Sequence, residues 1–357
     1  DMKKNRPQTI AALDYGSQYT QLIARRIREL NVFSEILPYD IDIKELDNRN
    51  VKGIILSGGP ASVYDKDAPQ LNKKLFKYKV PILGVCYGIQ LLFHNSNGQV
   101  SSSGIREFGP SVITILNQNI LFNKIPKSFK VWMSHGDKIE ETNKDWDTLA
   151  MSNNDIIASI SHKSKPFYGV QFHPEVTHTE FGREIISNFL FKICNLKQSW
   201  TPQNFIKNSI LYIKETVGDG EVICGISGGV DSSVVGALLN RALGHRCKGI
   251  FINHGLLRKN EEIEVMNTLK DELGINIDLI DHSSIFLKKL RGVINPEAKR
   301  KIIGEQFIRS FEEVSTNYSD ITHLAQGTLY PDIIESGKSI LGKSATIKSH
   351  HNVGGLP

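Results

Sequence analysis

Short apolar runs alternate with amphipathic stretches along the first half of the chain. The runs at 9–13, 51–56 and 80–85 each end at a turn rich in small or polar residues, which predicts buried strands. Between them, 19–30 and 71–78 carry apolar side chains at helical spacing. Further strands at 131–133 and 167–172 and a helix at 180–194 complete this series. Apolar strands that alternate with helices are typical of a parallel sheet covered on both faces.

A second series with the same alternation begins after a change in composition near residue 200. We assign 198–207 to a linker, which separates a first domain at 7–197 from a second at 208–357. The second series predicts, in order, helix 205–216, strand 221–226, helix 234–243, strand 248–253, helix 261–273 and strand 276–281. The chain is therefore predicted to form two α/β domains, each a doubly wound, mainly parallel sheet.

Composition excludes several classes of protein. Hydrophobic residues make up 40% of the 357 residues and charged residues 23%, which is unlike a disordered, collagenous or coiled-coil chain. The net charge of +5 is too small to indicate nucleic-acid binding, and no apolar run approaches the roughly 18 residues of a membrane span. The four cysteines form no C-x-x-C pair. We therefore expect no zinc site and no disulfide framework, as fits a reducing cytoplasm.

The first candidate site is a cysteine at the end of a predicted strand. Gly84 and Gly88 lie two residues before and two after Cys86, which allows the sharp strand-to-helix turn of a nucleophile elbow, with a thiol in place of the hydroxyl. The helix that begins near Tyr87 directs its N-terminus at the sulfur and favours the thiolate. Taken alone, this pattern fits a buried structural cysteine as well as a nucleophile.

A histidine and a carboxylate two residues apart change that balance. Pro174 favours an extended backbone at His173, and in an extended segment His173 and Glu175 face the same side. Glu175 can then orient the imidazole while the other ring nitrogen faces a thiolate, as in a nucleophile–base–carboxylate triad. The turn at Gly58 and Gly59 fits either backbone donors to an oxyanion or a plain tight turn.

These three segments resemble class I (triad) glutamine amidotransferase domains. The shared motifs are Ser-Gly-Gly-Pro at 57–60, Gly-Val-Cys-Tyr-Gly-Ile-Gln at 84–90 and Phe-His-Pro-Glu at 172–175, in the order and spacing of that family. The resemblance implies a flavodoxin-like domain in which Cys86 is the nucleophile, His173 the base and Glu175 the orienting carboxylate, and which releases ammonia from glutamine. It further implies an oxyanion and glutamine site that contains Gly58, Gly59, Tyr87, Gln90, Ser134 and His135.

The second candidate site follows the first predicted strand of the second domain. Its residues are Ser227, Gly228, Gly229, Val230, Asp231, Ser232 and Ser233. The glycines let backbone N–H groups approach a polyanion at a helix N-terminus. No Gly-Lys-Ser/Thr follows, so this is not a Walker A loop. Its hydroxyls and the Asp231 carboxylate suit pyrophosphate and Mg²⁺, and a helix cap after a glycine turn is the alternative.

This loop resembles the PP-loop of N-type ATP pyrophosphatases, which have an adenine-nucleotide hydrolase-like fold. Those enzymes cleave ATP to AMP and pyrophosphate while they adenylate a substrate oxygen. A triad amidotransferase domain followed by a PP-loop resembles the glutamine-hydrolysing GMP synthetase family over nearly the whole chain. Further matching segments lie at 14–18, 131–137, 253–258, 299–304, 324–332 and 347–357.

The resemblance implies that ATP adenylates the C2 oxygen of XMP and that ammonia then displaces AMP to give GMP. The residues implied for XMP or for a lid are Arg300, Lys301, Asp332, Lys348, His350 and His351, and a solvated basic loop fits that composition as well. It also implies a cytoplasmic homodimer formed through a C-terminal domain that we expect to be missing after Pro357, with no nucleic-acid or membrane partner. Asn253 departs from the family, which usually has Asp there.

Hypotheses from other classes stay open. The intact loop argues against a stand-alone glutaminase, and the small net charge argues against a tRNA-modifying enzyme. A glutamine-dependent NAD-forming enzyme normally carries a nitrilase-type glutaminase instead. A non-catalytic binding module would be expected to have lost Cys86, His173 or Asp231, and the chain retains all three.

Overall fold

The chain folds into two units, residues 1–201 and 202–357. A computed structural model describes residues 7–318, 321–325 and 327, without the side chains of 102–106. Among these residues, no helix is both long and apolar enough to cross a membrane.

The described part of the first unit is built on a nine-stranded sheet. Its strands are β1 (Thr9–Asp14), β2 (Phe33–Pro38), β3 (Val51–Leu56), β4 (Ile82–Val85), β5 (Val100–Ile115), β6 (Ser128–Ile139), β7 (Trp146–Ser152), β8 (Ile157–His162) and β9 (Phe167–Val170). The order is β2-β1-β3-β4-β9-β8-β7-β5-β6. The first five strands in that order are parallel, and β8, β7, β5 and β6 extend the sheet by antiparallel pairing. The parallel part has the order of a doubly wound fold.

Helices cover both faces of this sheet. They are α1 (Thr20–Glu29), α2 (Ile43–Asn48), α3 (Tyr87–His94) and α4 (Gly182–Ser187), the last continuing as a π-helical turn at Asn188–Ile193. Alternation along β1 shows the two layers, because Ile10 and Ala12 belong to one buried cluster while Ala11 and Leu13 belong to the other. The predicted parallel sheet with two covered faces is therefore confirmed.

Two elements of the first unit differ from the sequence prediction. The helix predicted at 71–78 is a short 3₁₀ helix at Lys73–Lys77, because the Asn72 side chain caps it by accepting from the Lys74 N–H and the backbone is already extended at Tyr78. The strand predicted at 167–172 ends at Val170, and the residues that follow form bends and turns.

The second unit has a smaller sheet. Its strands are β10 (Glu221–Ile226), β11 (Cys247–Asn253), β12 (Ile277–Asp281) and β13 (Ile321–Ala325), and its helices are α5 (Pro202–Val217), α6 (Val230–Leu243), α7 (Glu261–Met266) with a π-helical turn at Asn267–Glu272, α8 (Ser283–Leu290) and α9 (Pro296–Ser315). The described strands are all parallel, in the order β12-β11-β10-β13. The order reverses beside β10, and ligands of such sheets bind at that point, outside the carboxyl ends of the strands.

The start of α5 falls inside the segment that we assigned to a linker. Residues 202–207 form the first turns of this helix. Pro202 is well suited to the first helical position, because its missing N–H would have no partner there and its backbone angle already fits a helix.

Candidate active site

Cys86 lies at a strained elbow between β4 and α3. Its backbone angles are φ 53° and ψ −106°, a region that non-glycine residues seldom occupy and that is concentrated at functional sites. The neighbouring glycines make the turn possible: a Cβ on Gly84 would lie 2.5 Å from the Gly88 carbonyl carbon, and one on Gly88 would lie 2.5 Å from the Leu56 oxygen. The elbow that the glycine spacing predicts is therefore present.

His173 and Glu175 meet Cys86 from the neighbouring strand. Because β4 and β9 are parallel neighbours, the residues that follow them emerge at one edge of the sheet, and the Cys86 N–H donates to the Val170 carbonyl at 2.8 Å. His173 Nδ1 lies 2.8 Å from Glu175 Oε1, and both side chains are buried. The prediction of an extended strand at this pair is wrong, because Pro174 and Glu175 lie in a turn.

The surroundings of His173 fix its position and its charge. Its backbone N–H donates to the Trp132 carbonyl at 3.0 Å, and its own carbonyl accepts from Thr179 Oγ1 at 2.6 Å. Burial alone would lower the pKa of His173, but hydrogen bonds to Cys86 and Glu175 and the charges of both groups raise it to about 10. The imidazole therefore holds its proton at neutral pH, between the Cys86 sulfur and the Glu175 side chain.

The turn at 57–60 lies against this triad. A Cβ on Gly58 would lie 3.2 Å from His173 Cε1 and 3.5 Å from the Cys86 Cβ. Gly59 is packed against the Tyr15 carbonyl, where an added Cβ would lie only 2.6 Å from the oxygen. Tyr87 is the first residue of α3, so its backbone N–H lacks a partner within the helix. Gly58 thus lies beside the triad, and the N–H without a helical partner belongs to the residue that directly follows Cys86.

The other predicted glutamine-site residues are engaged within the protein. Gln90 donates from Nε2 to the Asp137 carbonyl at 2.9 Å. The Ser134 carbonyl accepts from the Cys86 thiol at 3.3 Å. His135 is 4% exposed, with Nδ1 at 2.9 Å from the Asp137 carbonyl and Nε2 at 3.3 Å from Glu107 Oε2. Both ring nitrogens of His135 therefore face protein groups.

Sequence reasoning missed three residues at this site. Gln171 Nε2 lies 3.8 Å from the Cys86 sulfur. Arg26 on α1 donates from Nε to the Glu175 carbonyl at 2.9 Å. Tyr19 places its ring edge against His173, with 5.1 Å between ring centroids. Gln171 directly precedes the recognised motif at 172–175, but only the fold shows which way its amide points. Arg26 and Tyr19 carry no local signal.

The PP-loop segment of the second unit has the predicted position after β10 and at the start of α6. Its hydroxyls close the loop on itself: Ser232 Oγ accepts from the Ser227 N–H at 3.1 Å and donates to the Gly229 carbonyl at 3.0 Å. Ser233 Oγ donates to the same carbonyl at 2.9 Å. Val230 is 79% exposed. The result is a preformed turn whose outer face is open to a ligand.

Asp231 is exposed in the first turn of α6. Among the described residues, no cluster of three or more His, Cys, Asp or Glu side chains could hold a metal ion. The donors present at the loop are hard oxygens, a carboxylate and three hydroxyls, which suit Mg²⁺. They fit an ion that arrives with nucleotide phosphates, and Asp231 is the carboxylate that would hold it.

The structure describes three of the remaining predicted residues of the second unit, Arg300, Lys301 and Asn253. Arg300 and Lys301 are exposed on α9, where Arg300 pairs with Glu297 at 3.8 Å. Asn253 accepts from the Gly255 N–H at 2.8 Å and donates to Glu262 Oε2 at 2.5 Å. Asp332, Lys348, His350 and His351 lie outside the described residues.

Comparison with known proteins identifies both units. Residues 11–193 match the family described as "Glutamine amidotransferase class-I", and residues 203–306 match the family described as "NAD synthase". A glutamine-hydrolysing GMP synthase of Petrotoga mobilis is 51% identical over 98% of this chain and 68% of its own length. The chain belongs to the glutamine-hydrolysing GMP synthase family. Relatives with the same name from Caldicellulosiruptor saccharolyticus and Brachyspira hyodysenteriae are 50% and 49% identical, over 98% and 99% of this chain and 68% and 69% of their own lengths.

The family accounts for the pairing of the two units. A class I amidotransferase unit precedes a unit with a PP-loop, as the order of motifs predicts. The match to "NAD synthase" covers the ATP-binding unit, and the match over nearly the full chain is to GMP synthases.

Proposed function

We propose that this chain makes GMP from XMP, ATP and glutamine. In this proposal the first unit hydrolyses glutamine, the second adenylates XMP, and ammonia passes from one reaction to the other. The products are GMP, AMP, pyrophosphate and glutamate. The observation that carries the proposal is the strained Cys86 elbow facing the buried His173–Glu175 pair, in a chain that also holds a preformed PP-loop.

Glutamine hydrolysis begins with attack by the Cys86 thiolate on the side-chain carbonyl carbon of glutamine. The His173 imidazolium gives its proton to the amide nitrogen, so that ammonia leaves and a thioester remains on the sulfur. Neutral His173 then takes a proton from water, which attacks the thioester. The second tetrahedral intermediate expels the Cys86 thiolate and glutamate, and His173 is again protonated.

Glu175 and the nearby backbone assist both steps. Because Glu175 Oε1 lies at 2.8 Å from His173 Nδ1, that nitrogen carries a proton and the other nitrogen is directed to the sulfur. Each tetrahedral intermediate carries a negative oxygen. The backbone N–H groups of Gly59 and Tyr87 are the proposed donors to that oxygen, beside Gly58, which lies against the triad.

Adenylation supplies the leaving group that GMP formation needs. The C2 oxygen of XMP is amide-like and leaves poorly, but it leaves as part of AMP once the α-phosphate of ATP is attached. The loop at 227–233 is proposed to hold the pyrophosphate that departs, with backbone N–H groups at the start of α6 as donors. Bound Mg²⁺ would neutralise the charge of the phosphates, and Asp231 is its proposed protein ligand.

The partners and setting are also proposals. Arg300, Lys301, Asp332, Lys348, His350 and His351 are proposed to contact XMP or to form a lid over it. A homodimer and a cytoplasmic location are proposed from the family, and the described cysteines are all free, which fits a reducing compartment.

The test is pyrophosphate release from Mg-ATP with ammonium as the nitrogen source, so that the acceptor alone is varied. XMP, deamido-NAD, UTP and tRNA are compared at equal concentration. We expect release with XMP only. Release with deamido-NAD instead would follow the other family resemblance of the second unit and would overturn the GMP assignment.

A further inference from the structure

Gln171 is a fully buried amide that reaches the reactive sulfur. Its side-chain Nε2 lies 3.8 Å from Cys86 Sγ, and the residue has 0% exposure. We propose that Gln171 is a catalytic residue of the glutaminase, whose N–H stabilises the Cys86 thiolate both as nucleophile and as leaving group. This rests on the proposed function, in which Cys86 carries the thioester.

The direction of the Gln171 amide is determined by its neighbours. The Asp137 carbonyl can only accept, so the Gln90 group that lies 2.9 Å from it is the NH₂. The same NH₂ lies 3.3 Å from the far end of Gln171, which must therefore be the oxygen Oε1. The NH₂ of Gln171 is then the end that faces Cys86. A chain of donors and acceptors thus removes the usual ambiguity of a glutamine amide.

The Asp137 end of this hydrogen-bond network is held by a second group of side chains. His135 Nδ1 also donates to the Asp137 carbonyl at 2.9 Å, and Glu107 Oε2 lies 3.3 Å from the opposite ring nitrogen. Asn154 donates to Glu107 Oε1 at 2.5 Å. The Asp137 carbonyl is therefore fixed from two sides, and the donors that face the sulfur are fixed with it.

The other contacts of the sulfur show why such a donor is needed. The Ser134 carbonyl lies 3.3 Å from Cys86 Sγ. A carbonyl oxygen accepts from the thiol but repels a thiolate, so this contact favours the unreactive form. His173, Gln171 and the N-terminus of α3 favour the thiolate, and His173 gives up its proton during the reaction. The Gln171 amide stays neutral and keeps its N–H, so it can stabilise the thiolate both when the sulfur attacks and when it leaves.

The decisive experiment compares variants of Gln171 by the rate at which iodoacetamide alkylates Cys86 across pH, with peptide mass mapping to confirm the site. Q171M keeps nearly the same volume but has no donor. Hydrogen bonds to charged groups are worth enough for about a tenfold effect. We therefore expect alkylation at pH 7 to be about tenfold slower in Q171M, and the rise of rate with pH to begin about one unit higher. Glutaminase kcat should fall by a similar factor, with KM little changed.

The control is S159A. Ser159 is equally buried on the neighbouring strand β8, where its hydroxyl donates to the Gly169 carbonyl at 2.8 Å. Its loss should leave the alkylation profile unchanged. Q171N is the second variant, should Q171M fail to fold, because its shorter amide cannot reach both Gln90 and the sulfur.

The outcomes separate the two proposals. If folded Q171M or Q171N keeps the parental alkylation profile, Gln171 is only a packing residue and the inference is overturned. If the parent itself is not alkylated at Cys86 near neutral pH, or if C86A still hydrolyses glutamine, the proposed function of the first unit fails instead.

Discussion

The two candidate centres of this chain are built in opposite ways. Cys86, His173 and Glu175 are 4%, 3% and 1% exposed and are held by contacts from distant parts of the chain, to Ser134, Trp132 and Arg26 respectively. The PP-loop closes on itself with hydrogen bonds that span at most five residues, and its outer face is open. The difference follows the chemistry. A thiol nucleophile must be activated by protein groups, whereas an ATP site receives most of its charge from the nucleotide and its metal ion.

The largest expected effect separates the centres completely. C86A should reduce glutamate formation from glutamine by at least about 10⁴-fold, because the nucleophile is lost. Pyrophosphate release with ammonium should be unchanged. The measurement is product formation with each nitrogen source, and glutamine hydrolysis retained by C86A would remove Cys86 from its role.

D231A should have the opposite effect to C86A: it should impair the second unit and leave the first unit active. Loss of the proposed metal ligand should slow pyrophosphate release by about 1,000-fold with either nitrogen source, because the metal's stabilisation of phosphate charge is worth several kcal/mol. Glutamine hydrolysis measured without ATP should not change. D219A is the matched control, since Asp219 is also exposed in the second unit. Equal loss in D219A would point to a general effect on the unit.

The charge of Glu175 should set the pH range of the first centre. Since the pKa of His173 is raised to about 10, the imidazolium is present up to that pH and kcat for glutamine should fall only above it. E175Q removes the charge and should lower that pKa, so the alkaline limb should move to lower pH and kcat at pH 7 should fall by about 100-fold. The pH profile of glutamate release measures both effects.

The pH dependence of the free energy of unfolding is an independent check on the His173–Glu175 pair. The pKa of folded His173 is above the ordinary value of about 6.5, so the ion pair stabilises the fold fully below pH 6.5, and this contribution is lost as pH rises toward about 10. The free energy of unfolding of E175Q should therefore depend less on pH across that window than that of the parent. An unchanged dependence would contradict the assigned charge state.

The smallest effect concerns packing. G88A should destabilise the first unit by about 1–3 kcal/mol, because its Cβ would lie 2.5 Å from the Leu56 oxygen. G229A should change stability little, since its nearest new contact is Ser227 Oγ at 3.5 Å and its φ of −73° is ordinary. Urea unfolding of both variants checks this. An equal loss of stability in G88A and G229A would mean that the two turns are packed equally tightly.

The elements that the sequence predicts correctly have a local cause. Glycines flanking Cys86 specify the elbow, and the continuous apolar runs of β1 and β10 specify buried strands. The contacts that it does not predict depend on register. Ser102 pairs with Asp137 and Glu107 with His135, so five steps along β5 match two along β6. This irregularity puts Glu107 beside His135, and no periodicity reveals it.

The backbone of the triad is also only partly predictable from the sequence. The sequence predicts which side chains meet but assigns the wrong backbone to His173 and Glu175, because the chain leaves β9 at Val170 and turns at Pro174. The direction of the Gln171 amide depends on the Asp137 carbonyl, which is brought to it by a different strand.

The central claim is that nitrogen from glutamine reaches XMP through this chain. It is tested most directly with glutamine that carries heavy nitrogen in its side-chain amide, in the presence of XMP and Mg-ATP and with mass spectrometry of the nucleotide product. We expect GMP with the heavy nitrogen in its amino group, and no labelled GMP from glutamine with C86A. Glutamate formation without any label in the nucleotide would contradict it.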